Sequence, residues 1–380
     1  MYSRKIEKDI DEYLAGDSHK IFFIWGPRRS GKTTVLKELA RKLKVPIFNF
    51  DVISDQAKFK PDRRVLQSLV KDLKVILIDE VQSHEESTIA LKILYDEFDV
   101  KVIATGSSEL RQKTANFDSL AGRFVENYCL PLSLQEISSN NQVATYDQDE
   151  FASNLATNTQ IFGSYPEVYT NNDQSEKEKV NLLQNVLDTY VLKDVINIYN
   201  LKDAKLAKDI LTKIALQVGS EVSLREIANS LGANVSTVSN YIEIFVKNYI
   251  LLPLPSFKTN LRRAVSENRK YYFYDLGIRN VLIRDFRPLE FRPDRGGVWE
   301  NFIISEFEKK RRNDGLQLSF YFYREYSGQE VDLVVEDYHK TYRCYEIKAS
   351  NRSSHKSVFP IIHQLTHIVP DNYFAKISSL

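Results

Sequence analysis

Short runs of consecutive apolar residues punctuate the first third of the chain, near residues 21–25, 46–50, 75–79, 101–105 and 124–130. Between them, apolar residues recur every three or four positions, as in KTTVLKELARKL. A continuous apolar run suits a strand buried on both faces. The three-to-four spacing predicts a helix with one apolar side. Strands alternating with helices predict an α/β fold over residues 1–135, a parallel, doubly wound sheet with crossover helices. Ahead of the first strand, Ile6, Ile10, Tyr13 and Leu14 form the apolar stripe of an amphipathic helix.

The pattern then changes. Ser133 and Glu136 make a capping box that starts a new helix. The polar stretch SSNNQVATYDQDE reads as a loop, and residues 136–215 read as mostly helical. Within residues 216–275, Ser223 and Glu226 make a second capping box. Leu224, Ile227, Ala228 and Leu231 share one face, and Gly232 ends that helix. A second helix from about Ser236 turns Val238, Tyr241, Ile242 and Phe245 inward. Two short helices joined by a tight glycine turn predict a helix-turn-helix. The stretch SFKTNLRRAVSENRKYYFY then extends it as a basic wing, giving a winged helix. Residues 276–380 open with a helix, GGVWENFIISEFEKKR, and continue as a hairpin, QEVDLVVEDYHKTYRCYEIKAS. The segment FGSYPEVY, Gly163 to Tyr169, is a Gly/Pro-shaped turn to which no chemistry attaches.

Chemistry enters at the first strand. Gly26, four residues, Gly31, Lys32 and Thr33 follow the phosphate-loop spacing G-x-x-x-x-G-K-[ST]. The loop Gly26, Pro27, Arg28, Arg29, Ser30, Gly31, Lys32, Thr33 and Thr34 predicts a cradle of backbone N–H groups for the phosphates of ATP. Lys32 supplies a point charge for the β- and γ-phosphates, and Thr33 a hydroxyl for Mg²⁺. KVILIDEVQ adds Asp79 for the Mg²⁺ and Glu80 to orient or deprotonate the attacking water. Thr105, Gly106, Ser107 and Ser108 end another strand, where hydroxyls reach phosphate or merely form a turn. Arg123, just before the fifth strand, is a candidate for transition-state charge, in cis or in a neighbouring subunit, or else a surface residue.

Two further constellations lie downstream. Ser236, Thr237, Ser239 and Asn240 occupy the start and outer face of the second helix, where base or phosphate contacts to DNA are made. Lys258, Arg262, Arg263, Arg269 and Lys270 would charge the wing, and a wing that contacts only protein is the competing reading. Glu300 on the helix, Asp332 on one hairpin strand, and Glu346 and Lys348 on the other predict a PD-(D/E)xK arrangement. Residues two apart on a strand share a face. Cross-strand pairing would set Asp332 opposite Glu346. Carboxylates so placed hold Mg²⁺ for phosphodiester cleavage, with the lysine steering water or stabilising charge. A salt-bridged structural hairpin, or a nuclease-like fold that does not cleave, is the alternative. Val331 stands where the motif's name has proline.

The ordered segments GPRRSGKTT, LIDEVQ, ATGSS, LAGR and PLSLQEI resemble the AAA-type ATPases of archaea and bacteria, in the branch with a carboxyl-terminal domain of unknown function. The resemblance continues through YVLKDV, YFYDLGIRN, GVWENFI, EVDLVV and YEIKAS. It implies a helical lid beside the nucleotide, a restriction-endonuclease-like carboxyl-terminal domain, and sites shared between subunits of a homo-oligomer.

Bulk properties narrow the rest. The chain has 380 residues and a net charge of +1, so any DNA site is a local patch rather than a global field. The charged start MYSRKIEKDIDEYL is no signal peptide, and no apolar run is long enough for a membrane span. Two distant cysteines, Cys129 and Cys344, fit reduced thiols in a cytoplasmic protein. The expectation is an ATPase that binds DNA and couples turnover to a nuclease-like domain. The rival is an ATP-dependent switch whose nuclease-like fold is silent. A small-molecule kinase would leave the helix-turn-helix and the acid–lysine set unexplained.

Overall fold

A computed structural model describes residues 2–106, 120–141, 143–170, 174–194, 203–258, 269–325, 328–350 and 358–380. Contacts divide the chain into two units, Met1–Leu130 and Pro131–Leu380. No helix among the described residues is long and apolar enough to cross a membrane.

The first unit is built on five parallel strands: β1 (Ile21–Trp25), β2 (Ile47–Asn49), β3 (Val75–Asp79), β4 (Lys101–Gly106) and β5 (Phe124–Tyr128), in the order β2-β3-β4-β1-β5. All five residues of β1 are buried, as a continuous apolar run requires of a central parallel strand. Helices α1 (Lys5–Ala15), α2 (Lys32–Leu43) and α3 (Ser87–Glu97) accompany it. Ile6, Ile10 and Tyr13 of α1 pack with Phe22, Ile24, Leu36, Leu39 and Ile103. Each such side chain contributes about 1.5–3 kcal/mol on burial. Trp25 is in register with both Gly106 and Tyr128. The carboxyl ends of β1, β4 and β5 therefore align, which is where open α/β sheets bind ligands.

The second unit opens with helices α4 (Leu134–Ser139), α5 (Gln148–Phe162) and α6 (Glu176–Val186), which continues in wider π-type turns to Asp194. The Ser133/Glu136 capping box forms as expected. Helices α7 (Ala204–Leu216), α8 (Leu224–Leu231) and α9 (Val235–Lys247) follow, with Gly232 left-handed (φ 63°) in the turn between the last two. At the start of α8 only half of the expected capping box forms: the Ser223 side chain accepts from Glu226 N. Strands β6 (Glu221–Val222), β7 (Leu251–Leu254) and β8 (Arg269–Phe273) make an antiparallel sheet ordered β6-β8-β7.

Helix α10 (Leu276–Ile283) leads to α11 (Arg295–Asn313), then to strands β9 (Leu318–Arg324), β10 (Glu330–Asp337), β11 (Tyr342–Ile347) and β12 (His363–Ile368), and last to α12 (Tyr373–Ser378). The sheet order is β12-β11-β10-β9, with β11 and β12 parallel and the other pairs antiparallel. One apolar core joins α5, α6, α7, α8, α9, β7, β8 and α10. The expected divisions at 215 and 275 fall inside this second unit.

Candidate functional site

The phosphate loop leaves β1 at Gly26. A Cβ there would lie 2.0 Å from the Cys129 carbonyl oxygen, so only glycine fits. Gly31 has φ 103°, open to glycine and strained for other residues. It caps α2, whose first residues are Lys32 and Thr33. Lys32 is buried, and its Nζ donates to Gly26 O (2.8 Å) and Pro27 O (2.7 Å). Burial pushes the Lys32 pKa down, while the charges of Glu80 and Asp79 oppose that shift.

Asp79 ends β3 and is buried. Thr33 Oγ1 donates to its Oδ2 at 2.8 Å, and Thr105 Oγ1 donates to its Oδ1. Thr105 thus has a partner beyond a plain turn, and Ser107 and Ser108 lie outside the described residues. Glu80 sits in the left-handed region (φ 53°, ψ 49°) and accepts from Gln82 Nε2. For a non-glycine residue this conformation costs on the order of 1 kcal/mol or more. The loop, Lys32, Thr33, Asp79 and Glu80 thus meet at one edge of the sheet.

Arg123 does not join them. Its carbonyl accepts from Ile21 N at the start of β1, so it lies at the opposite edge. The five residues of β1 separate that edge from Gly26, about 16 Å at strand spacing. Its guanidinium is bound to Asp96 through Nε (2.7 Å) and Nη2 (3.1 Å). This corrects the reading of Arg123 as a residue acting in cis.

Arg4 is the residue that sequence reasoning missed. It is buried, and it donates to Ser30 O (2.5 Å) and Leu130 O (2.6 Å). In a trans peptide the C=O and N–H point in opposite directions. Holding the Ser30 carbonyl therefore fixes the plane of the peptide that carries the Gly31 N–H. A single arginine just ahead of α1 carries no local signal of this.

In the second unit, Val238, Tyr241, Ile242 and Phe245 are buried as expected. Ser236, Ser239 and Asn240 are exposed, and Thr237 is half-buried. Arg269 is exposed and Lys258 half-buried; Arg262 and Arg263 lie outside the described residues. Lys270 overturns its reading as a wing cation. It is 2 % exposed, with Nζ 2.9 Å from Glu300 Oε1 and in contact with Glu330. Strand alternation explains this: Lys270 and Tyr272 share one face of β8, and Tyr271 and Phe273 join the apolar core on the other. Burial works against the charge on Lys270, but Glu300 and Glu330 outweigh it and hold its pKa above the usual range.

The carboxylate–lysine set comes together. Leu333 pairs with Tyr345, which makes Asp332 and Glu346 the next pair in register. Lys348 Nζ lies 3.0 Å from Glu346 and 3.2 Å from Asp332. Asp332 also accepts from Ile347 N at 2.7 Å. The β9–β10 register shifts between Val331 and Val334, the irregularity that lets a strand re-aim a side chain. Burial pushes the Glu346 pKa up. Glu300 adjoins Asp332, and Glu330 joins them: one oxygen from each of the three lies within 4.8 Å of the others. Tyr272 OH donates to Glu300 at 2.5 Å. Glu330, Tyr272 and Lys270 complete a cluster of which the sequence reading named Glu300 and Asp332.

Residues 18–138 match the family described as an AAA domain. Residues 155–289 and 295–371 match two domains of unknown function, DUF8612 and DUF4143. An uncharacterised protein of Methanocaldococcus jannaschii is 26% identical, over 92% of this chain and 80% of its own length. One from Haemophilus influenzae is 24% identical, over 70% of each chain. The Thermotoga maritima RuvB Holliday junction branch migration motor aligns with a TM-score of 0.32 and 17% identity, over 66% of this chain and 89% of that one. The AAA match, with the loop geometry, supports nucleotide binding and ATPase activity in the amino-terminal unit.

Proposed function

We propose that the amino-terminal unit hydrolyses ATP and that its turnover controls a DNA-binding, nuclease-like second unit. The observation that carries the ATPase half is the convergence of Lys32, Thr33, Asp79 and Glu80 at the end of β1 and β3. The loop N–H groups hold the phosphates. Lys32 leaves the Gly26 and Pro27 carbonyls for the phosphate oxygens, a charge-assisted exchange. Glu80 orients or deprotonates the attacking water. Thr33 and Asp79 offer adjacent hard oxygens that fit Mg²⁺, which neutralises phosphate charge when bound. Arg123, remote from its own loop, serves the site of a neighbouring subunit in a homo-oligomer on this reading.

The helix-turn-helix with its three-stranded sheet is read as a winged helix that meets DNA through Ser236, Thr237, Ser239, Asn240 and the wing arginines. The four-stranded sheet with α11 is read as a PD-(D/E)xK-like domain whose Asp332, Glu346 and Lys348 act on a phosphodiester. A second reading, a switch with a silent nuclease-like fold, is favoured by Lys270. Its ammonium already occupies Glu300, so the set Glu300, Asp332 and Glu346 does not fit a divalent ion as it stands. The test is a cleavage assay on single- and double-stranded DNA with Mg²⁺ or Mn²⁺, with and without ATP. Cleavage lost in both Asp332→Ala and Lys348→Ala is expected of a nuclease. Binding without cleavage, equal in all three proteins, would leave the switch.

A further inference from the structure

The carboxylate cluster draws on three elements. Glu300 comes from α11, Glu330 and Asp332 from one face of β10, and Lys270 from β8. Three carboxylate oxygens within 4.8 Å of one another repel unless a cation lies among them. Lys270 supplies the buried charge, while Lys348, 3.2 Å from Asp332, and Arg324, 3.7 Å from Glu330, flank the cluster. The Lys270 Nζ is 2.9 Å from Glu300, touches Glu330, and sits 5.4 Å from the centre of the Phe322 ring. Tyr272 OH binds the same Glu300 oxygen that Lys270 binds. The ammonium thus lies between Glu300 and Glu330, where a divalent ion bridging the two would sit.

We propose that Lys270 is the resident cation of this cluster, and that it and a divalent metal ion are mutually exclusive occupants. This rests on the nuclease-like reading and adds to it a closed state. The ammonium keeps the carboxylates neutralised and out of the metal-binding arrangement. The strand that supplies Lys270 is the central one of the sheet beside the helix-turn-helix. One face of β8 belongs to the helical core and the other to the carboxylates, so a shift of that strand would change both.

The test is calorimetric titration of Mn²⁺ into the full chain without nucleotide, in an Asp79→Asn background that silences the nucleotide site. Lys270→Met is expected to bind Mn²⁺ at least about tenfold tighter than the same chain with Lys270, because Glu300 and Glu330 lose the buried cation they share. Lys270→Arg should stay weak. Adding Glu330→Gln to Lys270→Met should cancel the gain. Equal affinity with and without Lys270, or a gain that survives Glu330→Gln, overturns the inference. Should Lys270→Met fail to fold in chelator, Mn²⁺ is expected to restore its cooperative melt. A chain still unfolded in Mn²⁺ overturns the inference too. Binding is read without cleavage, so the two ideas fail separately. Tight binding by Lys270→Met, with no DNA cut by Lys270→Met that keeps Asp79 and is given ATP, retires the nuclease reading and supports the counter-ion.

Discussion

The Thr33 hydroxyl donates to Asp79 Oδ2 at 2.8 Å, joining the first helical turn after the phosphate loop to the tip of β3. On the proposed reading these are the two groups that would hold Mg²⁺ beside the phosphates.

Removing the loop lysine should abolish turnover. Each charge-assisted hydrogen bond to phosphate is worth about 1.5–3 kcal/mol. Lys32→Ala is expected to release no phosphate above background in a steady-state assay. Glu80→Gln is expected to bind ATP as wild type does but to hydrolyse it slowly; unchanged turnover would remove Glu80 from the mechanism.

Arg4 should matter for nucleotide affinity beyond its part in seating α1. Arg4→Met leaves the Ser30 carbonyl only the weak Cys129 thiol as a partner, so the peptide that carries the Gly31 N–H is held less firmly. A roughly tenfold rise in the Kd for a fluorescent ATP analogue is expected, of the order of one weakened hydrogen bond from that N–H to phosphate. Ile10→Ala loosens α1 without touching Ser30. If it weakens nucleotide binding as much as Arg4→Met does, Arg4 only anchors the helix.

DNA binding should be electrostatic and local. Neutralising Arg262, Arg263 and Arg269 should flatten the dependence of log K on log salt by about one unit per lost phosphate contact. Lys270→Met should leave that slope unchanged, because its ammonium is buried among carboxylates. A slope unaltered by the arginine changes would make the wing a protein-facing element.

Asn301 is fully buried and pairs with both the N–H and the C=O of Phe273, each at 2.8 Å. Asn301→Ala leaves two buried backbone groups without partners. The expected loss is about 2–5 kcal/mol, read from denaturant melts of the full chain.

The thiols should be inert in the native protein. Cys129 and Cys344 are buried, and burial pushes the Cys344 pKa up to about 12. Little thiolate exists there near neutral pH. A disulfide reagent is expected to label neither cysteine until the chain is unfolded; rapid native labelling would contradict the packing around β5 and β11.

The nucleotide strands and the loop were legible because their signals are local: apolar runs, two glycines, a lysine and an acid pair. The register of Asp332 against Glu346 followed from hairpin geometry alone. Arg123 was misplaced although a clue existed. In a parallel sheet the residue before a strand sits at the edge opposite a loop that follows a strand. Lys270 was hidden by RKYYFY, where aromatic residues on both faces mask the alternation that buries the lysine. Arg4 depends on contacts distant in sequence, which no spacing records, whereas Glu330, two residues before Asp332 on one strand, was open to the same alternation that paired Glu346 with Lys348.

The Asn301 amide stitches α11 to β8 as a neighbouring strand would, and Lys270 crosses the same seam. Nature and the protein engineer alike would find it hard to exchange the helix-turn-helix for another without also replacing the central strand of its sheet. A graft cut after residue 275 would carry Lys270 and Phe273 away from Glu300 and Asn301. The two parts would then have to co-vary as one inherited piece, whatever each came to recognise.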